Sequence, residues 1–260
     1  EACQKSRFEI EEPRHSVTLD AFWMDQTEVT NRMYATCEAT GICTPPERTY
    51  SPASDSYYGD DLYADYPVIH VDWYQAQAYC TWAGGALPTE AQWEYAARGG
   101  IEGGLYPWGN IFEGSLANFC DVNCTTDTAN PGFNDGYSYI SPTGSYPPNG
   151  YGLYDMAGNL NEWIADWYAS YSHSAATNPT GYAEGNYRVI RGGSWYTYGS
   201  DLRLAYRDRM KPDYTGTVLG FRCAHPLDTP GTAMPPSAQE LPANTPTPQP
   251  YPTQISPLDG

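Results

Sequence analysis

From Gly99 to Pro226 the chain never sustains an apolar period. Short hydrophobic pieces, such as the one around Leu153 and Met156, are broken every few residues by Gly, Asn, Asp or Pro. Each breaker acts differently: glycine supplies positive φ, proline fixes φ and lacks an N–H, and Asn and Asp bond their own backbone. A helix needs about ten residues at 3.6 spacing, so this stretch reads as loop and short strand. Helical pattern is confined to the first hundred residues. Ala21-Phe22-Trp23-Met24 reads as a strand, and Thr30 can cap a helix running to about Ala39. Asp72-x-x-Gln75 and Thr89-x-x-Gln92 are capping-box signals. Behind them, Ala76, Tyr79, Trp82 and Ala83 share one helical face, and Trp93 and Ala96-Ala97 another. On these grounds the fold class is an irregular α+β.

Two boundaries follow. Residues 1–226 form one domain, and residues 227–260, crowded with Pro and Thr as in Thr245-Pro246-Thr247-Pro248, form an extended tail or linker. That tail lacks the apolar surface to fold alone, and its prolines favour polyproline geometry. The sequence as it stands shows neither an initiator Met nor a signal peptide, so Glu1 reads as a processed or excised end.

Charge excludes several function classes. Acidic residues number 31 against 13 basic ones, a formal charge of -18, and Lys5 and Lys211 are the only lysines. Such a field repels nucleic acid and anionic membrane surfaces and concentrates cations. No run approaches the ~20 apolar residues of a membrane-spanning helix. Neither Cys37/Cys43 nor Cys120/Cys124 has zinc-site spacing or a neighbouring His, so each pair reads as a local disulfide. Disulfides place the chain outside the cell or at its surface. His15, His70, His173 and His225 are scattered, and no nucleophile elbow or phosphate loop occurs.

Four strings, in order, carry a resemblance: Leu87-Pro88-Thr89-Glu90-Ala91-Gln92-Trp93-Glu94, Gly150-Tyr151-Gly152-Leu153-Tyr154-Asp155-Met156, Arg191-Gly192-Gly193-Ser194-Trp195 and Gly220-Phe221-Arg222-Cys223. From about Phe22 to Ala224 the chain resembles the formylglycine-generating enzyme (sulfatase-modifying factor) family. The resemblance implies a variant of the C-type lectin fold, with small twisted sheets, two main helices and long ordered loops. It also implies a Cys80–Cys223 disulfide, which leaves Cys3 without a partner. In active members two cysteines between the last two strings bind copper and oxidise a substrate cysteine. The matching positions here are Thr197 and Leu202, which cannot carry thiolate chemistry. A structural cysteine of the family is Ala97 here, and its partner position near Arg207 also lacks sulfur. A non-catalytic member is therefore expected, holding neither copper nor iron.

Calcium is the cofactor the resemblance implies. One set is Asn118, Phe119, Asp135 and Tyr137; the second is Asp155, Gly158, Leu160 and Glu162, with Asp155 replacing the family's usual Asn. Carboxylates interleaved with loop carbonyls supply the six to eight oxygens calcium takes. The loop after the Arg-Gly-Gly-Ser string is exposed in this fold type. Its Trp195, Tyr196, Tyr198, Asp201, Tyr206, Arg207, Arg209 and Tyr214 suit a glycan- or protein-binding surface. Members usually open on a strand upstream of this chain's start, and Ser256-Pro257-Leu258-Asp259-Gly260 looks like its usual lead-in. Either a tandem array or an extended segment from a neighbour would fill that edge, so self-association through the N- and C-terminal segments is expected. The role so read is a structural or adhesive subunit of a repetitive or filamentous assembly. The alternative is a monomeric recognition module on a Pro/Thr stalk, and a more distant one is a metal-dependent oxidase with relocated ligands.

Overall fold

A computed structural model of the chain describes residues 6–124, 129–227 and 253–255. Cys3, the Pro/Thr-rich stretch 228–252 and the lead-in at 256–260 lie outside these residues. Four helices and nine strands are described: α1 (Ser6–Glu9), β1 (Val17–Thr18), β2 (Phe22–Met24), α2 (Asn31–Ala39), α3 (Trp73–Trp82), α4 (Glu90–Arg98), β3 (Asn161–Trp167), β4 (Ala176–Thr177), β5 (Arg188–Arg191), β6 (Asp208–Met210), β7 (Leu219–Gly220), β8 (Ala224–Pro226) and β9 (Thr253–Ile255). The fold is α+β, with the long loops anticipated for its second half.

Helix starts follow their caps. Thr30 Oγ1 accepts from the Met33 amide at the head of α2. Asp72 and Thr89 head α3 and α4 with complete capping boxes. The third helix buries Ala76, Tyr79 and Cys80, and the fourth buries Trp93, Ala96 and Ala97. The expected α3 face shifts slightly. Its helix ends at Trp82, and Cys80 rather than Ala83 completes the buried stripe.

Three small sheets complete the architecture. The central one runs β6-β5-β3-β7, with β7 parallel to β3 and the other pairs antiparallel. A second runs β8-β2-β9, both outer strands antiparallel to β2, and β1 pairs with β4 in parallel. Helices α2 and α3 and the central sheet share one core, containing Tyr34, Tyr79, Trp163, Ile190 and Phe221. Helix α4 and β2 share another around Met24, Trp93, Leu153 and Ile164. Disulfides Cys37–Cys43, Cys80–Cys223 and Cys120–Cys124 are all formed. The Cys80–Cys223 bridge ties α3 to the entry of β8 and so fixes the end of the domain against its first half. Among the described residues no helix is long and apolar enough to cross a membrane.

Candidate functional site

Strand β5 delivers Arg191 to the base of the loop that bears Thr197 and Leu202. The Arg191 guanidinium is fully buried and bonds Glu94 at 2.6 Å, Glu90 at 3.3 Å and the Leu204 carbonyl at 2.8 Å. Gly192 and Gly193 then turn the chain at φ 96° and 75°. A Cβ at Gly193 would fall 2.7 Å from Leu202 Cδ2 and 2.9 Å from Thr197 Oγ1. Glycine is required there by both the dihedral and the crowding.

Thr197 and Leu202 both do structural work. Thr197 Oγ1 accepts from the Ser194 amide, and its own carbonyl accepts from the Cys120 amide at 3.0 Å. Leu202 is 1% exposed and packs with Tyr106, Ala117, Phe119 and Ala157. The space beside the Arg-Gly-Gly-Ser turn is filled by a methyl-bearing alcohol and an isobutyl group, neither of which is a redox centre.

The expected recognition surface is partly corrected. Trp195 is buried; its indole donates to the Thr217 carbonyl at 2.9 Å and its ring meets Tyr139 edge-on. A large ring with one N–H partner is driven inward by its apolar area. Asp201 is buried in the 3-10 turn Gly199–Leu202, and Arg207 is buried in an ion pair with Glu90 at 2.5 Å. Tyr206 is half-buried. Arg209 is exposed and lies over Tyr168 and Tyr187, on β6 rather than in the loop. Tyr196 and Tyr198 stand out, at 50% and 47% exposure, and Tyr214 is also exposed.

Some residues of the two implied calcium sets meet: Asp135 with Phe119 and Tyr137, and Gly158 with Asn118. Gly158 sits so close to Asn118 that a Cβ would fall 2.3 Å from its carbonyl oxygen, and the Asn159 amide donates to that oxygen at 2.9 Å. Asn118 Nδ2 donates to the Tyr139 carbonyl and to Asn159 Oδ1, while its Oδ1 is buried without a hydrogen-bond partner. Asp135 accepts the Phe119 and Tyr137 amides at 2.9 and 2.8 Å. Burial pushes its carboxyl up to about 6 despite those two bonds. Asp155 adopts φ 55°, accepts the Gly144 amide through Oδ2, and leaves a buried Oδ1 with no partner. Its carboxyl is likewise raised to about 6, chiefly by burial.

A cation fits part of this arrangement. The orphaned oxygens of Asn118 and Asp155 are the donors a hard cation would satisfy. Glu162 does not fit: it is fully buried, bonds Arg222 through both oxygens, and accepts the Trp93 indole at 2.8 Å. Among the described residues no group of three or more His, Cys, Asp or Glu is gathered to hold a metal ion. Any cation here would therefore rely on the Asp155 carboxylate together with amide and carbonyl oxygens.

Two features carry no signal in the sequence. Glu28 is fully buried between β2 and α2, with Asn159 Nδ2 at 3.2 Å from each carboxylate oxygen. Burial raises its carboxyl well above the ordinary range, and repulsion from Asp155 and Glu162 adds to this. The Glu90, Arg191 and Arg207 network, joined by the Tyr171 hydroxyl at 3.0 Å, is the second. A cavity of about 150 Å³ beside it is lined by Glu9, Ile10, Glu12, Tyr168 and Arg207.

The α+β frame, the Arg-Gly-Gly-Ser turn and the Cys80 bridge define a sulfatase-modifying-factor type domain. The sulfatase-modifying factor enzyme 1-like domain family matches residues 2–227, and the chain belongs to that family. It is 34% identical over 259 residues to the formylglycine-generating enzyme of Bos taurus, covering 82% of this chain and 68% of that one. It is 38% identical over 235 residues to the serine/threonine-protein kinase pkn1 of Chlamydia pneumoniae, where 82% of this chain spans only 34% of the longer protein. The inactive C-alpha-formylglycine-generating enzyme 2 of Bos taurus is 40% identical over 167 residues, 62% of this chain and 50% of that one. Non-catalytic members of the family therefore occur. Among solved structures, Treponema denticola variable protein 1 superposes with a TM-score of 0.65 at 26% identity, over 84% of this chain and 89% of that one.

Proposed function

We propose that this domain is a non-catalytic, calcium-stabilised structural or adhesive module that works outside the cell as part of a repetitive assembly. The observation that carries the reading is the state of Thr197 and Leu202. One is committed to the Ser194 turn and the other to the core, so both thiol positions of the family serve packing. The three disulfides support an oxidising compartment. The buried, unpartnered oxygens of Asn118 and Asp155 support calcium as the stabilising ion.

The test combines reaction and assembly. Purified chain is given copper(I), oxygen and a cysteine-containing peptide, and the peptide mass is followed. No aldehyde product forms and no copper is retained after gel filtration. Electron microscopy in calcium shows arrays or filaments, which loosen in chelator. Stoichiometric copper with peptide oxidation would overturn the reading.

A second reading rests on Tyr196 and Tyr198, whose exposed rings flank the half-buried Thr197. Aromatic bodies with polar tips suit glycan or protein recognition. On that reading Tyr196→Ala or Tyr198→Ala abolishes ligand capture on a glycan array and leaves the oligomeric state unchanged.

A further inference from the structure

The three disulfides differ in how they are enclosed. Cys37, Cys43, Cys80 and Cys223 are buried, whereas Cys124 is half-buried and its partner Cys120 lies inside. Of these six cysteines Cys124 is thus the one a thiol in solution can approach, and exchange begins by attack on an accessible sulfur. Chain entropy points the same way. Cys120–Cys124 spans a separation of 4 residues and Cys80–Cys223 one of 143, so the short ring restrains the unfolded chain far less. In that picture the exchange constants of the two bridges differ by on the order of 100-fold. Cys37–Cys43, with a separation of 6, gains no such protection from length, and burial is what sets it apart.

The short bridge also sits at a junction. The Cys120 amide donates to the Thr197 carbonyl at 3.0 Å, and the Cys120 carbonyl accepts the Asn130 amide at 3.0 Å. The Cys124 amide turns back onto the Asp121 carbonyl at 3.1 Å. Asp121 is fully buried in that turn; its Oδ1 accepts the Asn123 amide at 2.7 Å and its Oδ2 accepts the Asp135 amide. Thr197 in turn holds the Ser194 amide and stands between the exposed Tyr196 and Tyr198. The bridge therefore pins a turn whose backbone is bonded directly to the loop carrying those two tyrosines.

We propose that Cys120–Cys124 is a thiol-exchange site, opened by a small thiol at Cys124, and that opening it releases the Thr197 loop. A thiolate attacks Cys124 Sγ; the new S–S bond forms as the Cys120–Cys124 bond breaks, and Cys120 leaves as a thiolate that takes a proton from water. A second thiol attacks the mixed disulfide, freeing the Cys124 thiol and producing the small-molecule disulfide. The protein bridge gains two electrons and two protons, and the two small thiols supply them. With its turn no longer closed by the bridge, the Asp121 carboxylate becomes open to water, and the amides held by Asp121 and Thr197 lose their shelter. This control goes beyond the assembly reading and needs nothing from it, since it resides in one loop and its clip.

Cysteamine is the probe, because a formal charge of -18 concentrates a cationic thiol at the surface. The native chain is treated with N-ethylmaleimide to block any free thiol, then equilibrated in cysteamine–cystamine mixtures of rising reducing power. Acid-quenched samples are alkylated, digested and weighed by mass spectrometry. Cys120–Cys124 opens first, and its mixed disulfide is found on Cys124. Cys80–Cys223 stays closed until the ratio of squared cysteamine to cystamine is on the order of 100-fold higher. Hydrogen exchange is then followed in the mixture that opens only the short bridge. The amides of Cys120, Asp135 and Ser194 exchange about tenfold faster or more, while those in α3 and α4 keep their protection and show that the domain remains folded. Opening of Cys37–Cys43 or Cys80–Cys223 first, or an adduct on Cys120, overturns the exchange site. Unchanged exchange at Cys120 and Ser194 with the bridge open overturns the release of the loop. Loss of protection throughout the domain on opening also overturns the switch, because the bridge then serves stability alone.

Discussion

Thr197 Oγ1 closes a two-way link with Ser194, accepting its amide at 2.9 Å and donating to its carbonyl at 3.0 Å. Ser194 is fully buried, so an amide deprived of that acceptor would have no water to replace it. Thr197→Val is expected to destabilise the domain by about 1–3 kcal/mol, read from the shift in urea midpoint. Thr197→Ser keeps the hydroxyl and should recover most of the loss. Equal losses in both variants would mean that the methyl, not the hydrogen bonds, holds the turn.

What the sequence made legible is what local rules govern. Thr30, Asp72 and Thr89 announce their helices because a cap is a contact between residues three apart. Cys37–Cys43 and Cys120–Cys124 were readable for the same reason. Trp195 and Asp201 read from sequence as surface residues yet lie inside, because their burial is decided by Tyr139, Thr217 and the 3-10 turn rather than by neighbours in sequence. Glu28 and its Asn159 partner stand 131 residues apart, and no periodicity marks a carboxylate that the tertiary fold closes over. The ionic pairing of Glu162 with Arg222 arises the same way, and it leaves Glu162 ill-suited to the cation-ligand role the family resemblance implies.

The disulfides should differ sharply in worth. Cys80–Cys223 closes a separation of 143 residues and Cys120–Cys124 one of 4. In the chain-entropy picture the first contributes about 5 kcal/mol and the second about 2 kcal/mol. Cys80→Ala with Cys223→Ala should therefore lower the urea midpoint far more than Cys120→Ala with Cys124→Ala. Comparable losses would show that the long bridge acts by native packing around α3, not through the unfolded chain.

Arg222 is the hub of the buried acidic centre. It is fully buried, bonds Glu162 at 2.7–2.9 Å, and donates to the carbonyls of Asp25, Gln26 and Tyr154. Arg222→Met strands a buried carboxylate and is expected to cost about 3–5 kcal/mol. Arg222→Met combined with Glu162→Gln should cost less than the sum of the two single changes, because the charge left behind is gone. Strict additivity in that cycle would remove the ion pair from the account.

Asp166 gives the domain a pH dependence of defined sign. Burial pushes its carboxyl from the ordinary 3.8 up to about 7, and the nearby Glu90 carboxylate adds to the rise; the Glu90 amide at 2.9 Å, Arg207 and Arg188 oppose it. Between about pH 4 and 7 the folded chain keeps a proton that the unfolded chain has released. Stability from this group therefore falls as pH rises through that window, by up to about 4 kcal/mol, and is level on either side. Asp166→Asn keeps an oxygen for the Glu90 amide and removes the titration. Its stability relative to the unsubstituted chain should rise steadily from pH 4 to 7 and then level off, as measured by urea unfolding at each pH. Titration of Glu28, Asp135 and Asp155 is common to both proteins and cancels in the difference. A difference that stays constant from pH 4 to 8 would mean that Asp166 is charged in the folded state throughout, held by Arg188 and Arg207 against its burial.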